Sequence, residues 1–205
     1  FKYLRTQLLE PAVTKFPRLE TVLMESTYGG RDCVLPRREE TEQIFANIIT
    51  ETVKNGGKVL LPVLGVGRSQ EIMIMIERAI REKTIPNIPV YIQGMVWDIT
   101  AIHTAYPDYL NNNLRKQIFH KDQNPFLSDI FKRVGSQKER MQLIEETGSC
   151  VILATSGMLT GGPSVQYLKA LAGGKKHSLV FSCYQPPGSM GHRIRAGEKE
   201  FIIKQ

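Results

Sequence analysis

The sequence predicts an α/β domain with a mainly parallel, open sheet and helices on both of its faces. Short apolar stretches rich in Val, Ile and Leu alternate with longer segments in which apolar residues recur every three or four positions. This alternation favours parallel strands, because a parallel connection needs a crossover long enough to hold a helix. A chain of 205 residues is long enough to bury one substantial core.

Apolar stretches bounded by turn residues are predicted as strands, at residues 19–24, 58–63, 88–92, 150–154 and 178–183. Helical spacing predicts helices over residues 39–54, 69–83 and 138–146. Prolines and consecutive asparagines break the pattern between residues 96 and 134, where short helices and loops are expected. Residues 200–204 resemble the start of a further strand.

Composition narrows the classes of partner and location. The excess of 27 Lys and Arg over 20 Asp and Glu favours phosphate-bearing partners such as nucleic acid. The 41% share of hydrophobic residues excludes overall disorder. The chain has no apolar run of membrane-spanning length and starts with neither an initiator Met nor a signal peptide, so a piece of a longer protein is expected. The three cysteines are too far apart in the sequence to indicate a disulfide framework or a zinc knuckle, so a reducing, cytoplasmic setting is expected.

Candidate functional residues follow the predicted strands, because open parallel sheets bind ligands beyond the carboxyl ends of their strands. The first strand leads into Glu25, two hydroxyl residues and a glycine turn. Glu25 is predicted either to cap a turn or to orient a catalytic partner. The second strand leads into a glycine loop and Arg68, directly before a helix. Arg68 is either a clamp for phosphate or carboxylate or a solvated side chain beside a tight turn.

Two glycine loops resemble nucleotide-binding signatures without completing them. Gln70 stands where a dinucleotide fingerprint needs glycine, and Pro163 stands where a Walker phosphate loop has its lysine. In the second loop, Ser156 and Gly157 are predicted either to cradle one phosphodiester or simply to turn the chain from strand to helix. An unrelated enzyme that uses a small nucleotide is disfavoured but stays an alternative.

The last predicted strand leads into a proline–glycine loop that carries His192 among arginines. The imidazole of His192 is suited to proton transfer near neutral pH, and the flanking cations would attract phosphate. Taken by itself, a loop histidine is usually just exposed to solvent. The other histidines, His103, His120 and His177, lie apart from these loops and have no metal-ligand spacing.

Taken in order, four segments resemble the beta-CASP region of metallo-beta-lactamase-type nucleases, and most closely the archaeal relatives of the cleavage and polyadenylation specificity factor (CPSF) endonuclease. Residues 25–29 resemble motif A of the family, and His192 stands at the position of its motif B histidine. Residues 64–71 resemble the glycine–arginine helix entry, and residues 154–162 resemble the small-residue loop beside the scissile phosphate. The resemblance covers nearly the whole chain and implies a Rossmann-like beta-CASP domain.

The resemblance implies a zinc-dependent ribonuclease, acting in RNA 3′-end processing or turnover, whose active site is shared with another part of a longer chain. The sequence has no H-x-H-x-D-H segment, so two zinc ions would be ligated by residues outside it. The 205 residues alone are expected to bind no catalytic zinc and to be inactive. Residues 1–30 would end the metallo-beta-lactamase part, residues 31–191 would form the beta-CASP domain, and residues 192–205 would return toward the first part.

Single-stranded RNA and the metallo-beta-lactamase part of the same polypeptide are the partners that this resemblance implies. The metal ions would activate the attacking hydroxide. His192 would contact the scissile phosphate and protonate the leaving oxygen, with Glu25 hydrogen-bonded to the imidazole.

Further residues are expected to contact the RNA rather than to take part in the chemistry. Arg68, Ser156 and Gly157 would position phosphates. Trp97 and Tyr184 would either stack on unpaired bases or belong to the core. A non-catalytic RNA-binding module of the same fold is the alternative function.

Overall fold

A five-stranded, entirely parallel sheet forms the centre of the fold in the computed structural model, which describes residues 2–202. Its strands are β1 (Lys58–Pro62), β2 (Val90–Gln93), β3 (Phe131–Val134), β4 (Cys150–Ala154) and β5 (Ser178–Leu179). Their order across the sheet is β3-β2-β4-β1-β5. The predicted α/β class with a parallel open sheet is confirmed.

Helices follow or precede each strand. They are α1 (Arg38–Lys54), α2 (Arg68–Arg81), α3 (Met95–Ala105), α4 (Asn112–Lys121), α5 (Gln137–Glu145), α6 (Pro163–Leu171) and α7 (Met190–Arg195), with single 3-10 turns at Pro107–Tyr109 and Pro125–Leu127. Within residues 2–202, no helix has the length and the apolar character that crossing a membrane requires.

The core lies on both faces of the sheet, and neighbouring residues of β1 and β4 point to opposite faces. Val59 and Leu61 pack with the buried side of α2 on one face, whereas Leu60 packs with α6 on the other. Every residue of β1 and β4 is buried, since helices cover these central strands from both sides. The near-continuous apolar sequence of both strands follows from this double burial.

The connections after β1 and β4 leave the sheet in opposite directions. From β1 the chain passes through α2 to β2, and from β4 it passes through α6 to β5 on the other side of β1. Since α2 and α6 pack on opposite faces, the chain leaves the carboxyl ends of two neighbouring strands toward opposite faces of the sheet. Such a reversal creates the crevice in which open α/β sheets bind ligands.

The structure corrects the strand predictions and adds one strand that the sequence does not predict. Residues 19–24 are not a strand: no described strand lies beside them, and Leu23 is fully exposed. The strand β3 was missed because Lys132 and Arg133 point outward and interrupt the apolar pattern. The last strand has two residues instead of six. Residues 200–202 are irregular, and the rest of the strand predicted at 200–204 lies outside the described residues.

Removing a core side chain from β4 tests whether the sheet centre stabilises the fold. Leu153→Ala is expected to lower the free energy of unfolding by about 2–5 kcal/mol, because Leu153 is fully buried and the site cannot collapse around the cavity. Leu127→Ala is the matched control, since Leu127 is 68% exposed and should change stability by less than about 0.5 kcal/mol. Urea unfolding followed by circular dichroism measures both, and equal destabilisation by the two variants would contradict this packing.

Candidate functional site at the carboxyl edge of the sheet

The loops that follow β1 and β4 touch at Gly157, which is buried. A Cβ atom at Gly157 would lie 3.0 Å from the amide nitrogen of Leu64 and 3.0 Å from the carbonyl carbon of Val63. It would also lie 2.9 Å from Sγ of Cys183, in the segment that follows β5. A side chain has no room there, because two of these neighbours are backbone atoms that cannot rotate away. Gly157 therefore lets three strand ends meet.

The glycine loop after β1 is fixed by Gln70, the residue that argues against a dinucleotide fingerprint. The buried Oε1 of Gln70 accepts a hydrogen bond from the amide of Gly67 at 2.7 Å. Its Nε2 donates to the carbonyl of Gly65 at 3.3 Å and to Oγ1 of Thr100 at 3.1 Å. Gln70 thus holds the loop that places Arg68 at the first position of α2.

Arg68 is partly exposed and oriented by an ion pair. Its Nη1 lies 2.8 Å from a carboxylate oxygen of Glu71, and the Arg68 side chain is 40% exposed. Partial burial, followed by the repulsion of the Arg68 guanidinium, lowers the pKa of Lys2. Arg68 is therefore neither buried nor a fully solvated side chain, and its phosphate contact stays a prediction.

The hydroxyl of Ser156 stabilises the loop in which Ser156 lies. Oγ accepts a hydrogen bond from the amide of Thr160 at 2.9 Å, and the carbonyl of Ser156 accepts one from Oγ of Ser164 at 2.8 Å. Pro163 starts α6 as predicted for the first helical turn. These bonds show the turn-forming role of Ser156, while phosphate binding by Ser156 and Gly157 stays a prediction.

Gln185 joins α7 to the Gly157 loop and was not predicted from the sequence. Its Nε2 donates to the carbonyl of Gly157 at 2.9 Å and to the carbonyl of Cys183 at 3.2 Å. Its side chain, 1% exposed, lies against Gly191, where a Cβ would be only 1.9 Å from Oε1. A single glutamine between a tyrosine and two prolines has no periodic signal, so only the contacts reveal its role.

His192 follows Gly191 on α7 and is exposed. Its backbone amide donates to Oγ of Ser189, the residue that caps this helix, at 3.2 Å. The imidazole has no hydrogen bond to any residue between 2 and 202, so the expected bond to Glu25 is not formed here and stays a prediction. Glu25 is exposed, and its carboxylate accepts a hydrogen bond from the amide of Thr27 at 3.0 Å, as a turn-capping residue would.

A contact between two aromatic rings places the Glu25 segment next to the other three predicted site segments. The rings of Tyr28 and Tyr184 meet edge to face, with centroids 5.9 Å apart and an angle of 87° between their planes. Trp97, by contrast, packs against the core beneath α2 and α3. Of the two aromatic residues considered for base stacking, only Tyr184 therefore lies among the predicted site segments.

The described residues offer hydrogen-bond donors and cations rather than metal ligands. From residue 2 to residue 202 there is no group of three or more His, Cys, Asp or Glu side chains that could hold a metal ion. Burial raises the pKa of the Cys183 thiol, against the opposing effects of its hydrogen bond with Gln185 and of Arg68. A raised pKa leaves less of the thiol ionised, and the thiolate is the nucleophilic form.

Adding one methyl group at Gly157 tests the meeting of the strand ends. Gly157→Ala is expected to lower the free energy of unfolding by about 1–3 kcal/mol, because the new Cβ would overlap backbone atoms of residues 63 and 64. Gly148→Ala is the control, since a Cβ at Gly148 would have no neighbour within 4 Å. Thermal unfolding of both variants measures the difference. A Gly157→Ala protein as stable as the control would show that the close contact is wrong.

Comparison with known proteins identifies the family. A family model described as "Beta-Casp domain" matches residues 69–194. Transcription termination factor FttA of Methanocaldococcus jannaschii is 54% identical over 202 residues, which cover 98% of this chain and 32% of that protein. The protein of the same name from Thermococcus kodakarensis is 50% identical over 99% of this chain and 31% of its own length. Its counterpart in Lokiarchaeum sp. is 53% identical over 98% of this chain and 31% of its own length.

These matches confirm the resemblance seen in the four motifs. The chain spans about a third of the length of these three relatives, each of which carries the name of a termination factor. The predicted boundaries at residues 30 and 191 stay predictions, since the matched range bears on neither end. The matched family model, which covers more than half of the chain, shows that the chain belongs to the Beta-Casp domain family.

Proposed function

We propose that this chain is the beta-CASP portion of a metal-dependent ribonuclease that acts where transcripts end, in RNA 3′-end formation or termination of transcription. One observation carries the proposal: two segments meet the Gly157 loop at the sheet edge where parallel α/β proteins bind ligands. One is the loop that leads into Arg68, through Val63 and Leu64. The other is the segment before His192, through Gln185, which packs against Gly191. The name of the archaeal relatives, transcription termination factor, supports the biological setting.

The helix entry at Arg68 is suited to holding a phosphate of the RNA backbone. Arg68 begins α2, so the positive end of the helix dipole and the guanidinium both add positive charge at this helix start. Glu71 orients the guanidinium from behind while leaving 40% of the side chain exposed. Phosphate contacts of this kind set the position of a nucleic acid without selecting its sequence.

His192 is suited to delivering a proton to the oxygen that leaves the scissile phosphate. Its helix is docked to the Gly157 loop through Gln185, and its exposed imidazole is available to a ligand. In the whole protein, Glu25 would accept a hydrogen bond from the imidazole and favour its charged form. Two zinc ions held by residues outside this chain would supply the activated hydroxide, as the resemblance to the nuclease family implies.

Removing the imidazole tests the catalytic role of His192. In the whole protein, His192→Ala is expected to slow RNA cleavage by about 10²- to 10⁴-fold, the usual contribution of a general acid, with little change in RNA affinity. His120→Ala is the control, because His120 is also exposed but lies on α4. Single-turnover cleavage of a labelled RNA measures both. Cleavage by His192→Ala at the wild-type rate would refute the role, and a wild type that binds but never cleaves RNA would favour the non-catalytic module.

Removal of the Arg68 guanidinium tests the proposed phosphate contact. Arg68→Ala is expected to weaken RNA binding and to reduce the slope of log affinity against log salt by about 0.7, the value for one lost phosphate contact on a single strand. Arg81→Ala is the control, because Arg81 forms a similar ion pair with Glu77 at the other end of α2. Anisotropy titrations of labelled RNA at several salt concentrations measure the slopes. Equal slopes for Arg68→Ala and wild type would place the phosphate elsewhere.

A further inference from the structure

Tyr28 and Tyr184 form an aromatic pair at the carboxyl edge of the sheet. Their rings pack edge to face, yet Tyr28 stays 47% exposed and Tyr184 39% exposed. Neither hydroxyl makes a hydrogen bond to another residue in the described range, 2–202. Buried tyrosines usually bond their hydroxyl, so this pair is not anchored as core residues are. It presents open ring surface next to the site.

The backbone of Tyr184 is fixed on both sides. Sγ of the preceding residue, Cys183, lies 3.3 Å from the carbonyl oxygen of Gly157, and Nε2 of the following residue, Gln185, donates to the same oxygen at 2.9 Å. Both neighbours of Tyr184 in the sequence therefore contact the Gly157 loop, which faces the crevice, and these contacts hold Tyr184 in place. A ring positioned in this way loses little conformational entropy when a flat ligand stacks on it.

The loop that leads into Arg68 meets the segment that contains Tyr184. Leu64, in that loop, and Cys183, which precedes Tyr184, both adjoin Gly157: the Leu64 amide nitrogen and Sγ of Cys183 lie 3.0 Å and 2.9 Å from the position of a Cβ there. Burial raises the pKa of Cys183, and the positive charge of Arg68 opposes this effect. A planar ring surface beside a cation matches a ligand with a flat ring and a phosphate, which is the chemistry of an unpaired nucleotide. Paired bases in a duplex would not expose their faces to such a ring.

We propose that Tyr184, supported by Tyr28, is a stacking platform for one unpaired base of single-stranded RNA, next to the phosphate that Arg68 contacts. The inference rests on the proposed function, because it assigns a base-binding position to the same edge. Stacking on an aromatic ring tolerates any base, so the platform increases affinity for single strands without selecting a sequence.

The binding of two matched oligomers to the whole protein tests the platform. All variants carry His192→Ala in addition, which limits cleavage, and a gel checks that the RNA stays intact. One probe is a labelled single-stranded oligoadenylate, and the other has the same phosphates but abasic riboses. Tyr184→Ala is expected to weaken oligoadenylate binding by about 5- to 150-fold and to leave binding of the abasic oligomer unchanged. Tyr184→Phe should keep the wild-type affinity, because stacking needs the ring and not the hydroxyl.

Tyr109→Ala is the matched control, since Tyr109 is 81% exposed on a 3-10 turn beyond the far end of α3. If Tyr184→Ala does not fold, Tyr184→Trp gives an independent result: its emission should be quenched by oligoadenylate and not by the abasic oligomer. Equal affinity of Tyr184→Ala and wild type, or equal losses for both oligomers, would refute the platform while leaving RNA binding intact. A wild type that binds neither oligomer would refute the proposed function as well.

Discussion

The absence of a side chain at Gly157 is the constraint on which the arrangement of the site depends. Backbone atoms of the loop after β1 and the thiol of Cys183 occupy the volume that a Cβ would need. This close approach lets the chain segments that follow β1, β4 and β5 share one edge. The carbonyl of Gly157 is then free to accept the hydrogen bond from Gln185, through which α7 is docked.

The site is built from backbone contacts and buried amide side chains rather than from ionised groups. Gln70 fixes the helix start that bears Arg68, and Gln185 fixes the helix that bears His192. Both glutamines are buried, so the charged residues they position can stay at the surface. This division is physically reasonable, since a buried guanidinium or imidazolium would incur a large desolvation penalty, whereas a buried amide needs only hydrogen-bond partners.

The sequence predicts the central sheet well because β1 and β4 are buried on both faces and are therefore apolar throughout. It fails for β3, whose outward-facing Lys132 and Arg133 hide a strand at the edge of the sheet. It also predicts a strand at residues 19–24, because apolar residues there satisfy the pattern although no described strand pairs with them. The pattern of apolar residues in a segment cannot show whether another strand pairs with that segment.

For the site, glycines and charged residues after strands were visible in the sequence, whereas the link through Gln185 was not. Turn residues follow local rules of backbone geometry, so Gly157 and the helix starts could be recognised. The contact of Gln185 with Gly157 joins residues 28 positions apart and has no local signature. The same holds for the ring contact between Tyr28 and Tyr184, which depends on how two distant loops meet.

The central claim is that these strand-end segments form part of a site that is completed only in the longer protein. Zinc content and cleavage of a labelled single-stranded RNA, measured side by side for residues 1–205 and for the whole protein, test it most directly. The account predicts zinc and cleavage in the whole protein and neither in the 205-residue chain. Zinc binding and RNA cleavage by the 205-residue chain alone would contradict it.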